Sequence, residues 1–292
     1  MAEMNYEEMK QASGVDGLEL MTRAWSPEGD SRGTILILHG LAEHSARYGR
    51  FAEALVSAGY KVLSYDQRGH GGSLFSAGAY GDAGAAGWEG MSADAVAMIR
   101  KAKTEDPDKP LILFGHSMGS FVAQHAVLEA SNELAGLVLS GSTDLHLVAQ
   151  LVEASGEAPS FDTYNAAFAP NRTAFDWLSR DDAEVDAYVA DPACGWDAPP
   201  EFAASMVAGG KILGDTDALG KIRKDLPILF VAGSADPLNG GLALLQSLKA
   251  RLEGVGLSVD EQYYADGRHE MLNEINRDVV TRAIIDWVRN LH

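Results

Sequence analysis

"LILFGHSMGS", residues 111–120, runs from four apolar residues into a glycine-flanked serine. A short, continuous apolar run closed by glycine reads as a strand buried on both faces, as parallel sheets require. The residues that follow, "SFVAQHAVLEA", read as a helix. Gly115-x-Ser117-x-Gly119 therefore falls on a strand-to-helix turn, where a strained backbone can lift a serine hydroxyl above the sheet edge. A side chain at Gly115 or Gly119 would crowd the neighbouring backbone at so tight a turn. In a chain with 31 glycines the pentapeptide alone decides little. Its place between strand and helix decides more. The alternative is a glycine-rich anion-binding turn, but the lysine of a phosphate loop is missing.

Working outward, the same alternation recurs. "GTILILHG" (33–40) is another apolar run bounded by glycines. "RYGRFAEALVSAGY" places Tyr48, Phe51, Leu55 and Val56 at helical spacing and stops at Gly59. "KVLSYD" is a strand, "SADAVAMIRKAKTEDPDKP" a helix opened by Ser92 and ended before Pro107, and "LAGLVLSGS" a strand. Upstream, "GVDGLELMTRAW" is a turn and a strand, with Leu18, Leu20 and Trp25 inward. The rhythm breaks after Ser142 and resumes with "LPILFVAGSADP" (226–237), a helix around 240–252, "SVDEQYYADG" and a last helix over 275–290. The expected fold is α/β: a mostly parallel central sheet with helices on both faces. Residues 1–142 and 223–292 form its core, and a mostly helical cap over 143–222 is inserted after strand 6.

Composition limits the partners. The formal net charge of −19 repels nucleic acid and anionic lipid. One cysteine, Cys194, allows no internal disulfide and fits a reducing compartment. Met1–Gln11 carries Glu3, Glu7 and Glu8 with no apolar stretch, so it does not read as a signal peptide. No apolar run approaches the roughly 18 residues of a membrane span. A cytoplasmic protein without stable membrane insertion is expected. Its oligomeric state is left open.

A serine hydroxyl needs a base. Of eight histidines, His116 adjoins Ser117, but successive side chains diverge, and His125 lies two turns along the next helix. His269, in "YYADGRHEMLNE", follows the last expected strand at the edge where the other strand-to-helix loops end. The base in turn needs a carboxylate. Asp236 in "FVAGSADPLN" sits just past a buried strand, with Asp144 as the rival and Asp266 too near His269 to orient it. Asp236 before Pro237 is also a natural helix cap. Acyl transfer further needs donors for an oxyanion. The backbone N–H groups of Met118 and Leu41 are the candidates.

The set "HGLAEHSARY" (39–48), "YDQRGHGGS" (65–73), "GHSMGS" (115–120), "GSADP" (233–237) and "GRHEM" (267–271) resembles the α/β-hydrolase fold, and more narrowly the monoacylglycerol lipase and lysophospholipase-like serine hydrolases. The resemblance covers about 33–142 and 223–290 and is weaker over the insertion. It implies Ser117 as nucleophile, Asp236 as acid, His269 as base, and Leu41 and Met118 as oxyanion positions. Leu41 replaces the small residue expected there from monoacylglycerol lipases, and its side chain narrows the site. Glu43 and Arg47 match positions that line the alcohol side in those lipases. Their i,i+4 spacing equally allows an ion pair. His39, Arg68 and His70 read as braces. In the insertion, "TDLHLVAQLVEA" is apolar over more than one stripe, which makes Leu145, His146, Val148 and Leu151 candidates for substrate contact. The expected function is cofactor-free, metal-free hydrolysis of a small-molecule ester such as a monoacylglycerol, lysophospholipid or short-to-medium-chain ester. Thioesterase, lactonase or acyltransferase chemistry would use the same residues, and a non-catalytic binding protein would use the same fold. Dehalogenases and epoxide hydrolases normally need a carboxylate where Ser117 stands.

Overall fold

The computed structural model describes residues 6–156 and 160–291. Eight strands form one sheet: β1 Glu7–Ala12, β2 Glu19–Trp25, β3 Thr34–Leu38, β4 Lys61–Tyr65, β5 Leu111–His116, β6 Gly136–Ser140, β7 Ile228–Gly233 and β8 Val259–Tyr264. Their order is β1-β2-β4-β3-β5-β6-β7-β8. β1 pairs antiparallel with β2, and β2 antiparallel with β4. All later pairings are parallel. The sheet is thus mixed but mostly parallel, as the alternating pattern requires.

β3, β5, β6 and β7 are buried along their whole length because helices cover both faces. The period of two sorts their side chains. Leu36, Leu38, Leu113, Leu137 and Phe230 pack with helices α2 (Gly87–Glu105), α3 (Met118–Ala130) and α9 (Ala243–Gly254). Ile35, Ile37, Phe114, Val138 and Val231 pack with α1 (Gly49–Ser57) and α10 (Arg277–Arg289) on the other face. Leu18 and Leu20 enter the first core and Trp25 the second.

Two elements differ from expectation. α2 starts at Gly87 rather than at Ser92, because buried Trp88 and Met91 extend the apolar stripe of Ala95 and Ile99 upstream. β1 is a mostly exposed edge strand, EEMKQA, held to β2 through its backbone, so it carries no apolar signal. Between β6 and β7 the described residues form no strand. They make α4 (Leu145–Ser155), α5 (Phe161–Asn165), α6 (Asp182–Ala190), α7 (Pro200–Gly209), α8 (Thr216–Leu219) and short 3-10 turns. A small aromatic cluster around Trp177 and Tyr188 gives this insertion a core of its own.

Candidate active site

Ser117 joins β5 to α3 with φ 51° and ψ −122°, a left-handed conformation that non-glycine residues seldom adopt. The flanking glycines explain how the turn closes. A Cβ on Gly115 would lie 2.7 Å from the Ser120 Cα, and one on Gly119 2.5 Å from the His39 carbonyl oxygen. The start of α3 therefore presses directly onto the end of β3. The loop after β3 approaches from the other side: a Cβ on Gly40 would lie 3.2 Å from that of Ser117. His39 braces this loop. Its Nδ1 bonds the Gly40 carbonyl at 2.7 Å while Nε2 accepts the Gln67 N–H at 2.8 Å.

His269 lies beyond β8, and its Nδ1 bonds Asp236 Oδ2 at 2.9 Å. Asp236 serves two partners, because its Oδ1 also accepts the Leu238 N–H at 2.9 Å as the cap of a 3-10 turn. The two loops meet where Gly233 faces the Gly267 carbonyl, a spot with no room for a Cβ. Asp144 is occupied elsewhere: it caps α4 and binds Ser247 at 2.8 Å and Arg251 at 2.6 Å.

Ser117, Met118, Leu41, His116 and His269 line one cavity of about 240 Å³. Its remaining wall is largely apolar and comes from both core and insertion, with Phe121, Leu145, Val148, Met206 and Trp177 among its members. Glu43 reaches the cavity, whereas Arg47 lies behind it. The two are ion-paired: Arg47 Nη1 binds Glu43 at 2.5 Å, and the same guanidinium grips Glu270 at 2.7 and 2.8 Å. Glu43 also accepts the Gly40 N–H at 2.5 Å and the Tyr48 hydroxyl at 2.8 Å, so it stiffens the loop bearing Leu41.

Two expected contacts are corrected. His146 packs against Gly214, and Leu151 is exposed; neither lines the cavity. Leu145 and Val148 define the inward side of α4, and at 100° per residue positions 146 and 151 are turned away by roughly 130° and 90°. Trp177, Tyr164 and Glu270 line the cavity without having been singled out as site residues. Glu270 adjoins His269, but nothing in the spacing of Trp177 or Tyr164 signals proximity to it.

Burial alone would lower the pKa of His269. The Asp236 carboxylate outweighs it through charge and hydrogen bond, aided by Glu270 and Glu43, and the net pKa is raised. His116, whose ring centroid lies 4.8 Å from that of His269, is pushed down to about 4 by burial and by the charge of that neighbour. Burial works against ionised Glu43 and Glu270, yet Arg47 holds both below the usual range. The arrangement can therefore keep one imidazole basic and its neighbour neutral. Among the described residues, His44, Asp191 and Cys194 bring metal-type donor atoms within 4.8 Å of one another. His44 already binds Asp191 at 2.9 Å, burial pushes the Cys194 thiol up, and none of the three lines the cavity.

Comparison with known proteins gives the family and the fold. Residues 29–276 match the family model described as serine aminopeptidase, S33. A monoacylglycerol lipase of Mycolicibacterium smegmatis is 29% identical over 94% of this chain and 95% of its own. The monoglyceride lipase of Mus musculus is 28% identical over 97% of this chain and 91% of its own. A thermostable carboxyl esterase from Bacillus coagulans, solved in complex with glycerol, superposes with a TM-score of 0.85 at 26% identity, covering 98% of both chains.

Proposed function

This chain belongs to the serine aminopeptidase S33 family of α/β-hydrolases, and from that premise we propose that it is a serine carboxylic-ester hydrolase acting on neutral acyl esters such as monoacylglycerols. One observation carries the reading. A serine held in a strained turn shares an apolar cavity with an imidazole whose Nδ1 is bonded to a buried carboxylate at 2.9 Å.

In this reading His269 takes the Ser117 proton as Ser117 Oγ attacks the ester carbonyl. Asp236 fixes the imidazole tautomer and stabilises the imidazolium. The Leu41 and Met118 N–H groups receive the developing oxyanion, the second at the start of α3. The alcohol leaves with the proton from His269, and a water deprotonated by the same base releases the acid. Residues 1–142 and 223–292 supply the chemistry, and 143–222 form a cap whose Leu145, Val148 and Met206 contact the acyl chain. No step calls for a metal or cofactor. No helix is long and apolar enough to cross a membrane among the described residues. The single cysteine favours a cytoplasmic setting.

An aminopeptidase reading would need an unpaired anion for the substrate ammonium. Glu43 and Glu270 share the single positive charge of Arg47, and exposed Asp197 also lines the cavity, so the anilide comparison below separates that reading from ester hydrolysis. The test is labelling with a fluorophosphonate probe, followed by p-nitrophenyl esters and monoacylglycerols of rising acyl length beside alanine p-nitroanilide. Labelling at Ser117, with esters turned over far faster than the anilide, is expected. An unlabelled, inactive protein would be a binding module instead.

A further inference from the structure

The loop bearing His269 emerges from β8, an edge strand with β7 as its neighbour. Beyond β8 its backbone donors have no ladder to join. A run of the insertion more than ninety residues away in sequence takes the place of that ladder. The N–H of His269 donates to the Trp177 carbonyl at 3.4 Å, and that of Glu270 to the Leu178 carbonyl at 2.8 Å. The Arg268 guanidinium donates to the carbonyls of Asp176 and Ser179, the latter at 3.0 Å. The Ser179 hydroxyl donates to the Asn273 carbonyl at 2.8 Å. Fully buried Glu274 accepts the N–H groups of Arg268 and Arg180, at 2.9 and 3.2 Å, and the Arg180 Nε at 2.9 Å. Arg277 closes the seam on Asp181 at 2.6 Å.

The indole of Trp177 covers the imidazole itself. The ring centroids lie 4.7 Å apart with a tilt of 36°. Trp177 is wedged in place by Phe161 and Tyr164, at 5.6 and 5.1 Å. The ring of His116 also lies 4.8 Å from that of His269. The imidazole thus touches both an insertion residue and a core residue.

We propose that residues 176–181 are a positioning strap for the base. The carbonyls of 176–179 hold the loop through its N–H groups and the Arg268 guanidinium, and Trp177 fixes the imidazole on it, so His269 faces Ser117 before any substrate arrives. The proposal rests on the reading of His269 as the base. It also means that this stretch is no lid, because it cannot lift without carrying the base away from the nucleophile.

p-Nitrophenyl acetate provides the test, since its acetyl group is too small to need the insertion for binding. Trp177→Ala and Arg268→Met are compared with Trp177→Phe, all checked for cooperative thermal unfolding. Arg268→Met removes the clamp on Asp176 and Ser179 without touching the cavity, and it remains informative should Trp177→Ala fail to fold. Misplacing a catalytic group by an ångström costs on the order of a hundredfold. Trp177→Ala and Arg268→Met are therefore expected to lower kcat on the acetate by about 10- to 100-fold with KM little changed. Fluorophosphonate labelling should slow by the same factor, and Trp177→Phe should recover most of the rate. Folded variants with wild-type kcat on the acetate, losing only KM on long-chain esters, would make Trp177 a substrate wall and overturn the proposal. Wild-type protein that the probe does not label would instead overturn the base assignment itself.

Discussion

Gly119 and Gly214 each sit where a Cβ would collide with a neighbour, one in the core and one in the insertion. At Gly119 the neighbours are the carbonyl oxygens of Leu38 and His39, main-chain atoms at the end of a fully paired strand. At Gly214 the neighbour is the ring of His146, a side chain on α4. The first cannot move without shifting β3, the second can rotate. The same contrast runs through both halves of the cavity. The core holds Ser117 and His269 by backbone packing and buried carboxylates. The insertion shapes the remaining wall mostly with side chains, and its backbone grips the core along 176–181, at Gly195, whose N–H donates to the Ala42 carbonyl at 3.0 Å, and at Gly209, whose carbonyl bonds His125 at 2.8 Å.

That contrast can be broken most severely at the chemistry. Ser117→Ala should lower kcat by on the order of a million-fold, and Asp236→Asn by about ten-thousand-fold, with unfolding midpoints close to wild type. A Ser117→Ala protein that retained most of its p-nitrophenyl ester turnover would remove the nucleophile from the account. The glycine pair comes next. Gly119→Ala should cost at least 1–3 kcal/mol in a denaturant titration, together with about a hundredfold of activity. Gly214→Ala should stay within about 1 kcal/mol and keep its activity. Equal effects at the two sites would erase the distinction between rigid core and adaptable cap.

Within the insertion, Val148→Trp should reduce kcat/KM for long acyl chains by roughly 10- to 200-fold while leaving the acetate ester untouched. A uniform loss across chain lengths would mean that α4 does not bound the acyl site. The pH profile offers a smaller effect. Only neutral imidazole can accept the serine proton, and the pKa of His269 is raised above its ordinary 6.5. The rate should therefore fall as pH drops through that raised value, and at pH 6.5 kcat/KM should be under half its plateau. His116, neutral down to about pH 4, adds nothing in that window. An acid limb centred below 6.5 would show that burial outweighs Asp236. Smallest of all, Leu151→Ser on the outer side of α4 should change stability by less than about 0.5 kcal/mol and leave turnover on every ester unaltered.

Much of the core was legible because its signals are local. A run such as Leu111–Phe114 must be buried on both faces, and the glycines at 115 and 119 mark a turn where main chains touch. Their places just past buried strands then pointed to Asp236 and His269, which the fold brings within a hydrogen bond. β1 escaped notice because an exposed edge strand needs only backbone partners. His146 and Leu151 were chosen from a helix apolar on several sides, where composition does not say which side faces the cavity. The Glu43–Arg47 spacing allows an ion pair, and Glu270, far along the chain, joins it.

The sequence by itself determined the alternation of strands and helices, the strained serine turn and the loops able to carry an acid and a base. These follow from hydrogen-bonding period and steric exclusion among residues close along the chain. Only the tertiary structure decided what surrounds the imidazole: Trp177 against its ring, the 176–179 carbonyls on its loop, and Arg47 between two glutamates. Such contacts join segments far apart in sequence, and no periodicity along one segment records which distant segment will lie against it.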